Sequence, residues 1–371
     1  MKGNILVVLG YPLQEQIDIG HIDVLLEMYK NQLNMFDEVH IYSPRDKRTY
    51  NLGEKIFVHS GGGEKLPRPI GLLLDIWNVW GLCRKHKIKI MRALAPHTSG
   101  VICFVASKLT GIPYISSVHM HRAYVEKEEK IRRNFISNFI LDNSERMAYR
   151  GAAAIPYISG YVKEYVLSMG AQENKLVYHP NFVDLSVFTP KTVFPRKPSK
   201  IICVGRLVKV KGVEYLLEAL ASIKGFTLTI CGDGPEKENL EKLSKKLGIE
   251  KSVRFAGNVS HTKELPKLLA ESDVFVAPLS GGFAMIEAMA AGLPVIVGNV
   301  EWSAEIIKDG INGFVVEPRN PKSIADALLK ISSNPQLAER MSKENSRLAS
   351  SLFSLESWKK RELDFYGKAL K

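Results

Sequence analysis

Apolar, β-branched tracts alternate with helical patterns along nearly the whole chain, and they do so in two series. Residues 5–9, 39–42, 88–91, 114–118, 153–157 and 175–178 form the first. The second begins at Ile201 and continues through residues 227–231, 253–255, 274–277, 295–297 and 314–316. Short continuous apolar runs separated by amphipathic helices are what strands of a parallel sheet look like when helices cover both faces. Two such series predict an α/β protein of two doubly wound, Rossmann-like domains, residues 1–190 and 199–354. The loop carrying Pro190, Pro195 and Pro198 with several basic residues reads as the linker. A last amphipathic helix, residues 355–371, carries Trp358, Leu363, Phe365, Tyr366 and Leu370 after the second series has ended, so it must dock on one of the domains.

Composition supports two cores, since 371 residues at 45% hydrophobic content bury enough apolar surface for both. Cys83, Cys103, Cys203 and Cys231 follow no pairing or metal-binding spacing, and read as small core residues of a reducing compartment. The first residues read as a strand, being too short for a signal sequence, and no apolar stretch reaches the roughly 18 residues that span a bilayer. The expectation is a cytoplasmic protein. A net charge of +12 favours anionic partners: phosphorylated substrates, an anionic membrane surface or nucleic acid. Nucleic acid drops out, because no run interleaves basic and aromatic residues and no zinc-finger or RNP-like motif occurs. Phosphate in a pocket is the simpler partner.

Three places carry site chemistry. The tract ending at Val204 runs into Gly205-Arg206-Leu207 and then Lys209-Val210-Lys211-Gly212 ahead of a helix, which crowds three cations at one strand end. In an open α/β sheet that is where ligands bind, and a helix N-terminus beside Arg and Lys makes an anion site. Gly232 and the pair Gly257-Asn258 end two further strands, where glycine allows backbone to approach a ligand. Finally, Ser280-Gly281-Gly282 reads as a tight turn into a helix over residues 283–291 that is apolar at nearly every angle except Glu287. A carboxylate in such a helix needs polar partners, and a ligand rich in hydroxyls would supply them. No G-x-G-x-x-G or Walker A sequence occurs, so neither a nicotinamide nor a P-loop site is implied.

His119 and His97 each follow a strand. His119 and His121 are spaced as a metal pair, but no third ligand is visible, and no D-x-D sequence occurs, so no metal is implied. Gly20 could let the first loop approach a ligand. Residues 72–89 and 127–150 mix apolar and basic side chains; each could face a membrane, but the expected reading is a packed helix with a solvated face.

The motifs VGRLVKVKG (204–212), CGDGP (231–235), VRFAGNV (253–259), IEAMAAGLPVIVGN (286–299), EIIKDGINGFVVEP (305–318) and PNFVDLSVFTP (180–190) together resemble the retaining glycosyltransferases of family four. The resemblance covers nearly the whole chain. It implies the GT-B fold, two Rossmann-like domains facing across a cleft, with the C-terminal helix packing back on the N-terminal, acceptor-side domain. It further implies that Arg206 and Lys211 grip the diphosphate of a nucleotide-sugar donor linked to UDP, GDP or ADP, that Glu287 accepts from the ribose hydroxyls, that amides from Ser280 to Phe283 meet the diphosphate or sugar, that Gly257 and Asn258 lie near the base, and that His119 lies near the transferred sugar and acceptor. The nucleotide sugar is a substrate; no cofactor is implied. A sugar or lipid-linked acceptor and peripheral membrane contact complete the expected partners. One position departs from the family: a second acidic residue is usual ahead of the helix Glu with seven residues between, and here that position is Leu279. The departure keeps two alternatives open, a nucleotide-sugar-binding protein with little or no transfer and a GT-B-like nucleotide-sugar epimerase.

Overall fold

The computed structural model of the chain describes residues 3–18, 22–62, 66–122, 126, 131–191 and 194–370; Gly20 lies outside them. The chain divides into two compact units, one formed by residues up to 126, 131–179 and 359–371, the other by residues 180–358.

The first unit holds, in chain order, β1 (Asn4–Val8), α1 (Leu13–Asp18), α2 (Ile22–Leu33), β2 (Val39–Ser43), β3 (Tyr50–Gly53), β4 (Ile56–Ser60), α3 (Arg68–Lys85), β5 (Ile88–Ala93), α4 (Thr98–Thr110), β6 (Tyr114–Ser116), α5 (Phe135–Gly151), β7 (Ile155–Tyr157), α6 (Gly160–Ser168) and β8 (Leu176–Tyr178). Its sheet runs β3-β4-β2-β1-β5-β6, parallel except for β3. Ile5 to Val8 are fully buried because helices cover both faces, which is why β1 reads as an unbroken apolar run. Two features depart from the sequence reading. The hairpin β3–β4 was not anticipated, since β3 is half exposed and has no apolar run to announce it. The fifth and sixth tracts of the first series pair with each other as β7 and β8, and adjoin the segment of β6 and the residues after it through isolated bridges at Ile115–Ala154 and Val118–Tyr157.

The second unit holds β9 (Lys200–Val204), α7 (Val213–Ala221), β10 (Thr227–Cys231), α8 (Lys237–Lys246), β11 (Val253–Gly257), α9 (Leu265–Glu271), β12 (Val274–Ala277), α10 (Gly282–Ala290), β13 (Val295–Gly298), α11 (Ser303–Ile306), β14 (Gly313–Val316), α12 (Pro321–Ser333) and α13 (Pro335–Leu352), with the chain returning to the first unit within α14 (Leu355–Ala369). All six strands are parallel in the order β11-β10-β9-β12-β13-β14. The order reverses between β9 and β12, the switch point at whose carboxyl side ligands bind in such sheets. The loop read as the linker is tied to the second unit: Lys191 Nζ bonds Asp273 Oδ1 at 2.7 Å and donates to the Ser272 carbonyl at 2.7 Å, and Val183 and Phe188, ahead of it, are buried in the second core.

The last helix docks through charge as well as through Phe365 and Tyr366. Arg92, on β5, is buried and pairs with the buried Glu362 at 2.6 Å; the guanidinium also donates to Tyr366 Oη and Ser117 Oγ, each at 3.2 Å, and Asn31 Nδ2 donates to the other Glu362 oxygen. Both Glu362 oxygens and two of the three guanidinium nitrogens have a partner, and pairing of this kind is the condition for burying such charges.

Candidate functional site

Three chain segments meet at the switch point of the second unit. After β9, Gly205 and Arg206 lead through a 3₁₀ turn, Lys209–Lys211, into α7. The Arg206 guanidinium is exposed and carries no hydrogen bond or ion pair among the described residues. Lys211 is folded back instead: its Nζ donates to the Ser280 carbonyl at 3.3 Å and lies against Gly282, where a Cβ would stand 3.3 Å from it. Burial lowers the Lys211 pKa from the ordinary ammonium value, and the nearby Glu301 carboxylate acts against that shift. Gly282 adopts φ +54°, a left-handed backbone that favours glycine.

After β12, Ser280 and Gly281 lead into α10, whose first turn receives no side-chain cap, leaving its amides directed at the mouth of the site. The Gly281 amide is the exception, because it donates to Ser303 Oγ at 3.2 Å; of the four residues expected to offer amides, this one is already engaged. A small recess lined by Gly205, Arg206, Lys211, Pro278 and Ser280 opens between these two strand ends. A wider hollow along β14 and α12, lined by Asp309, Glu317, Asp326 and Lys330, lies away from the switch point and collects none of the residues expected to bind the donor.

After β13, Glu301 enters, a residue that sequence reasoning missed. It holds φ +50°, uncommon for a non-glycine, and accepts a hydrogen bond from Ser280 Oγ. Leu279 is buried, so the turn itself supplies no carboxylate. Lys211, Ser280 and Glu301 thus come from three neighbouring strand ends to one place, with Arg206 open beside them.

Glu287 is 2% exposed, as its apolar helix demands, but its first partner is protein: His261 Nε2 bonds Glu287 Oε1. That hydrogen bond raises the His261 pKa, against a smaller lowering by burial. The imidazole lies edge-on to Phe188, 5.5 Å between centroids. Nothing in the sequence separation between Ser260-His261 and Glu287 signals the pair; only the loop position after β11 does. Glu287 Oε2 has no hydrogen bond among the described residues and is the oxygen left for a ligand.

The strand-end glycines divide. Gly232 serves its neighbour, since a Cβ there would lie 2.0 Å from the Gly205 carbonyl oxygen, so its lack of side chain is explained by two strand ends in contact rather than by a ligand. Gly257, at φ +69°, accepts from the Gly232 amide at 2.7 Å and faces open space, with Asn258 exposed next to it.

In the first unit, His119 follows β6 with its side chain accessible, and its surroundings together with the Arg92 charge lower its pKa, so the ring is neutral at pH 7. His121 turns away and stacks on Tyr165 and Tyr161, 4.1 and 4.9 Å between centroids, so it is not paired with His119. His97 lies 3.3 Å from Glu145, which also accepts from Tyr165 Oη and from Arg122 Nε at 3.2 Å. The helix over 135–151, expected to be packed, is so in its C-terminal half, where Glu145, Ala148 and Tyr149 are buried; in its N-terminal half Phe135 is 83% exposed and Ile136, Phe139 and Ile140 are exposed with it. On α3, Val79 and Cys83 are buried as expected, while Ile70, Leu73 and Trp77 face outward. No helix among the described residues is long and apolar enough to cross a membrane.

Comparison with known sequences and structures agrees with this geometry. Residues 23–187 match the family described as Glycosyltransferase Family 4, and residues 187–347 match Glycosyl transferases group 1. The alpha-D-kanosaminyltransferase of Streptomyces kanamyceticus is 25% identical over 84% of this chain and 89% of its own length. A GDP-mannose-dependent alpha-(1-6)-phosphatidylinositol monomannoside mannosyltransferase of Mycobacterium tuberculosis is 33% identical over 49% of this chain and 53% of its own length. Among solved structures, Anabaena HepE in complex with UDP superposes with a TM-score of 0.77 at 18% identity, covering 98% of this chain and 99% of that one. The likeness extends through both units, and their Rossmann-like sheets are those of the GT-B fold.

Proposed function

We propose, from the premise that this chain belongs to the family-four glycosyltransferases, that it moves a sugar from a nucleoside-diphosphate donor held at the switch point of the second unit to an acceptor hydroxyl, with retention of configuration. The observation that carries this reading is the meeting of Arg206, Lys211 and the uncapped start of α10 at adjoining strand ends. Negative charge grows on the diphosphate as the glycosidic bond breaks. A preorganised guanidinium, ammonium and set of amides meets that charge more strongly in the transition state than in the ground state, and this is the largest rate term available here. The chain carries no D-x-D sequence, so these groups rather than a metal are assigned the diphosphate.

Glu287 Oε2 accepts from one ribose hydroxyl while Oε1 stays with His261, and the His261 edge borders the same hydroxyls. Gly257 and Asn258 border the base. Ser280 and Glu301 together take the sugar hydroxyls, the carboxylate reaching the site from the strand beyond instead of from the turn. His119, neutral, is assigned to the acceptor-side unit and hydrogen-bonds the sugar or the incoming hydroxyl.

Binding without turnover remains the competing reading, favoured by Leu279; a GT-B-like epimerase would instead release an altered nucleotide sugar. Thermal unfolding with UDP, GDP and ADP sugars tests binding, because a ligand of the folded state alone raises its apparent stability. Free nucleoside diphosphate formed together with a glycosylated acceptor identifies transfer. If no nucleotide shifts the transition, the donor site is wrong; if one does and neither transfer nor hydrolysis follows, the binding reading stands.

The exposed apolar face of α5 fits a membrane surface carrying a lipid-linked acceptor, with the excess of cations favouring anionic lipid. Flotation with phosphatidylglycerol vesicles is the check: the chain rises with the lipid, Phe135→Asp with Phe139→Asp does not, and equal behaviour of the two removes this role.

A further inference from the structure

We propose that His40, His59 and His86 form a binding site for a divalent first-row transition cation, best matched by Zn²⁺, in the first unit and separate from the donor site. His40 and His59 stand on the parallel neighbours β2 and β4, two positions apart in register and therefore on one face of the sheet; His86 ends α3, which packs on that face. One ring nitrogen from each lies within 4.8 Å of the others, and His40 Nδ1 and His59 Nε2 are 2.9 Å apart. Tetrahedral Zn²⁺ with Zn–N bonds of about 2.0–2.1 Å wants its nitrogens about 3.4 Å apart. The His40–His59 spacing lies about 0.5 Å below that figure and the remaining pairs lie within 4.8 Å, so ring rotations can bring the three nitrogens to it.

Two further observations point to an ion rather than to three packed rings. The far nitrogen of His40, Nε2, lies 3.1 Å from Glu38 Oε2, which also accepts from Asn4 Nδ2 at 2.8 Å. A carboxylate there holds the proton on Nε2 and leaves the Nδ1 lone pair facing His59, the arrangement that orients and strengthens a metal-bound imidazole. His86 Nε2, in turn, is a buried nitrogen with no hydrogen-bond partner among the described residues, an uncommon cost for a fold to carry without compensation. His86 is held by a sharp turn, with Lys87 at φ +49°, and by its own carbonyl accepting from Asn4 Nδ2 at 2.8 Å. Lys85 is the opposing charge, acting on both His59 and His86, and Glu38 is its counterweight. His59 and His86 are half-buried, which leaves an entry path and a fourth coordination position for water. A bound ion would pin the end of α3 to β2 and β4 and would leave the donor site in the other unit untouched.

Titration of the chelator-stripped full chain with ZnCl₂ by calorimetry, alongside thermal unfolding, tests the proposal. One equivalent should bind and raise the midpoint; His59→Ala and His86→Ala should each weaken that binding at least tenfold, and Glu38→Gln by about 10- to 100-fold. Nucleotide affinity should be unchanged in all three, which separates failure here from failure of the donor site. Should a variant not fold, Co²⁺ added to the unaltered chain provides the readout, through the intense visible bands of tetrahedral coordination. No stoichiometric binding, affinity unaffected by either histidine variant, or an octahedral Co²⁺ spectrum would overturn the assignment.

Discussion

Arg92 with Glu362 and Lys211 with Glu301 are both cation–carboxylate sets at strand ends, yet they are built to opposite rules. The first is sealed: both Glu362 oxygens and Nε and Nη1 of Arg92 have partners, from each other and from Asn31, Ser117 and Tyr366, and both side chains are buried. The second is held short of completion, with Lys211 bonded only to a backbone carbonyl, Glu301 only to a hydroxyl, and Arg206 beside them with no partner among the described residues. Saturated charge fixes a helix in place; unsaturated charge keeps binding energy in reserve for a ligand.

Removing one member of the sealed pair should cost most. Glu362→Ala leaves the Arg92 cation buried alone and should destabilise the first unit by about 3–5 kcal/mol in denaturant unfolding. A loss below about 1 kcal/mol would mean that the pair is not an anchor. At the open set the fold should survive and chemistry should not: Arg206→Ala and Lys211→Ala each lower turnover on the order of 10²- to 10³-fold with an unchanged unfolding midpoint. Near-normal turnover in both would erase the contrast. Next comes Glu287→Gln, expected to weaken nucleoside diphosphate binding about tenfold. Its signature is electrostatic, because Glu287 is what raises the His261 pKa above 6.5. Stability from that raised value is fully present below the unfolded pKa of about 6.5 and is lost as pH rises through the folded one. In Glu287→Gln the His261 midpoint, followed by NMR, should therefore drop; an unmoved midpoint would mean that the two are not coupled. The smallest effect is expected of Ser280→Ala, which frees Glu301 and should raise the donor KM about two- to tenfold with little change in unfolding.

How much of this was legible in the sequence follows from how local each signal is. The second sheet, the cations after β9 and the buried carboxylate on α10 all declare themselves within a few residues, through apolar runs and the one charge that interrupts them. The partners of that carboxylate and of Lys211 do not. His261 and Glu301 reach the site from separate strand ends, and no short-range pattern encodes such a meeting. The same reason hides the three-histidine cluster, whose members are an ordinary strand residue, another on the next strand, and a helix cap. Prolines suggest a linker at residues 190–198, where Lys191 ties the loop to the second unit and Phe188, just ahead of it, is buried there. The first turns of α5 depart in the other direction, exposing apolar residues while Ala148 and Tyr149 further along are buried, because periodicity reports which residues share a face and not which way that face turns.

The return of residues 359–371 to the first unit bears on how the protein is made. Arg92 leaves the ribosome 270 residues ahead of Glu362, an interval of roughly 15–50 s at roughly 5–20 residues per second. Throughout it the first unit has a cation destined for burial and nothing to neutralise it. The second unit has no such wait, because its strands and helices are contiguous in the chain. Vectorial synthesis thus leaves the first unit, although its strands are translated first, without the partner of Arg92 until α14 has been made.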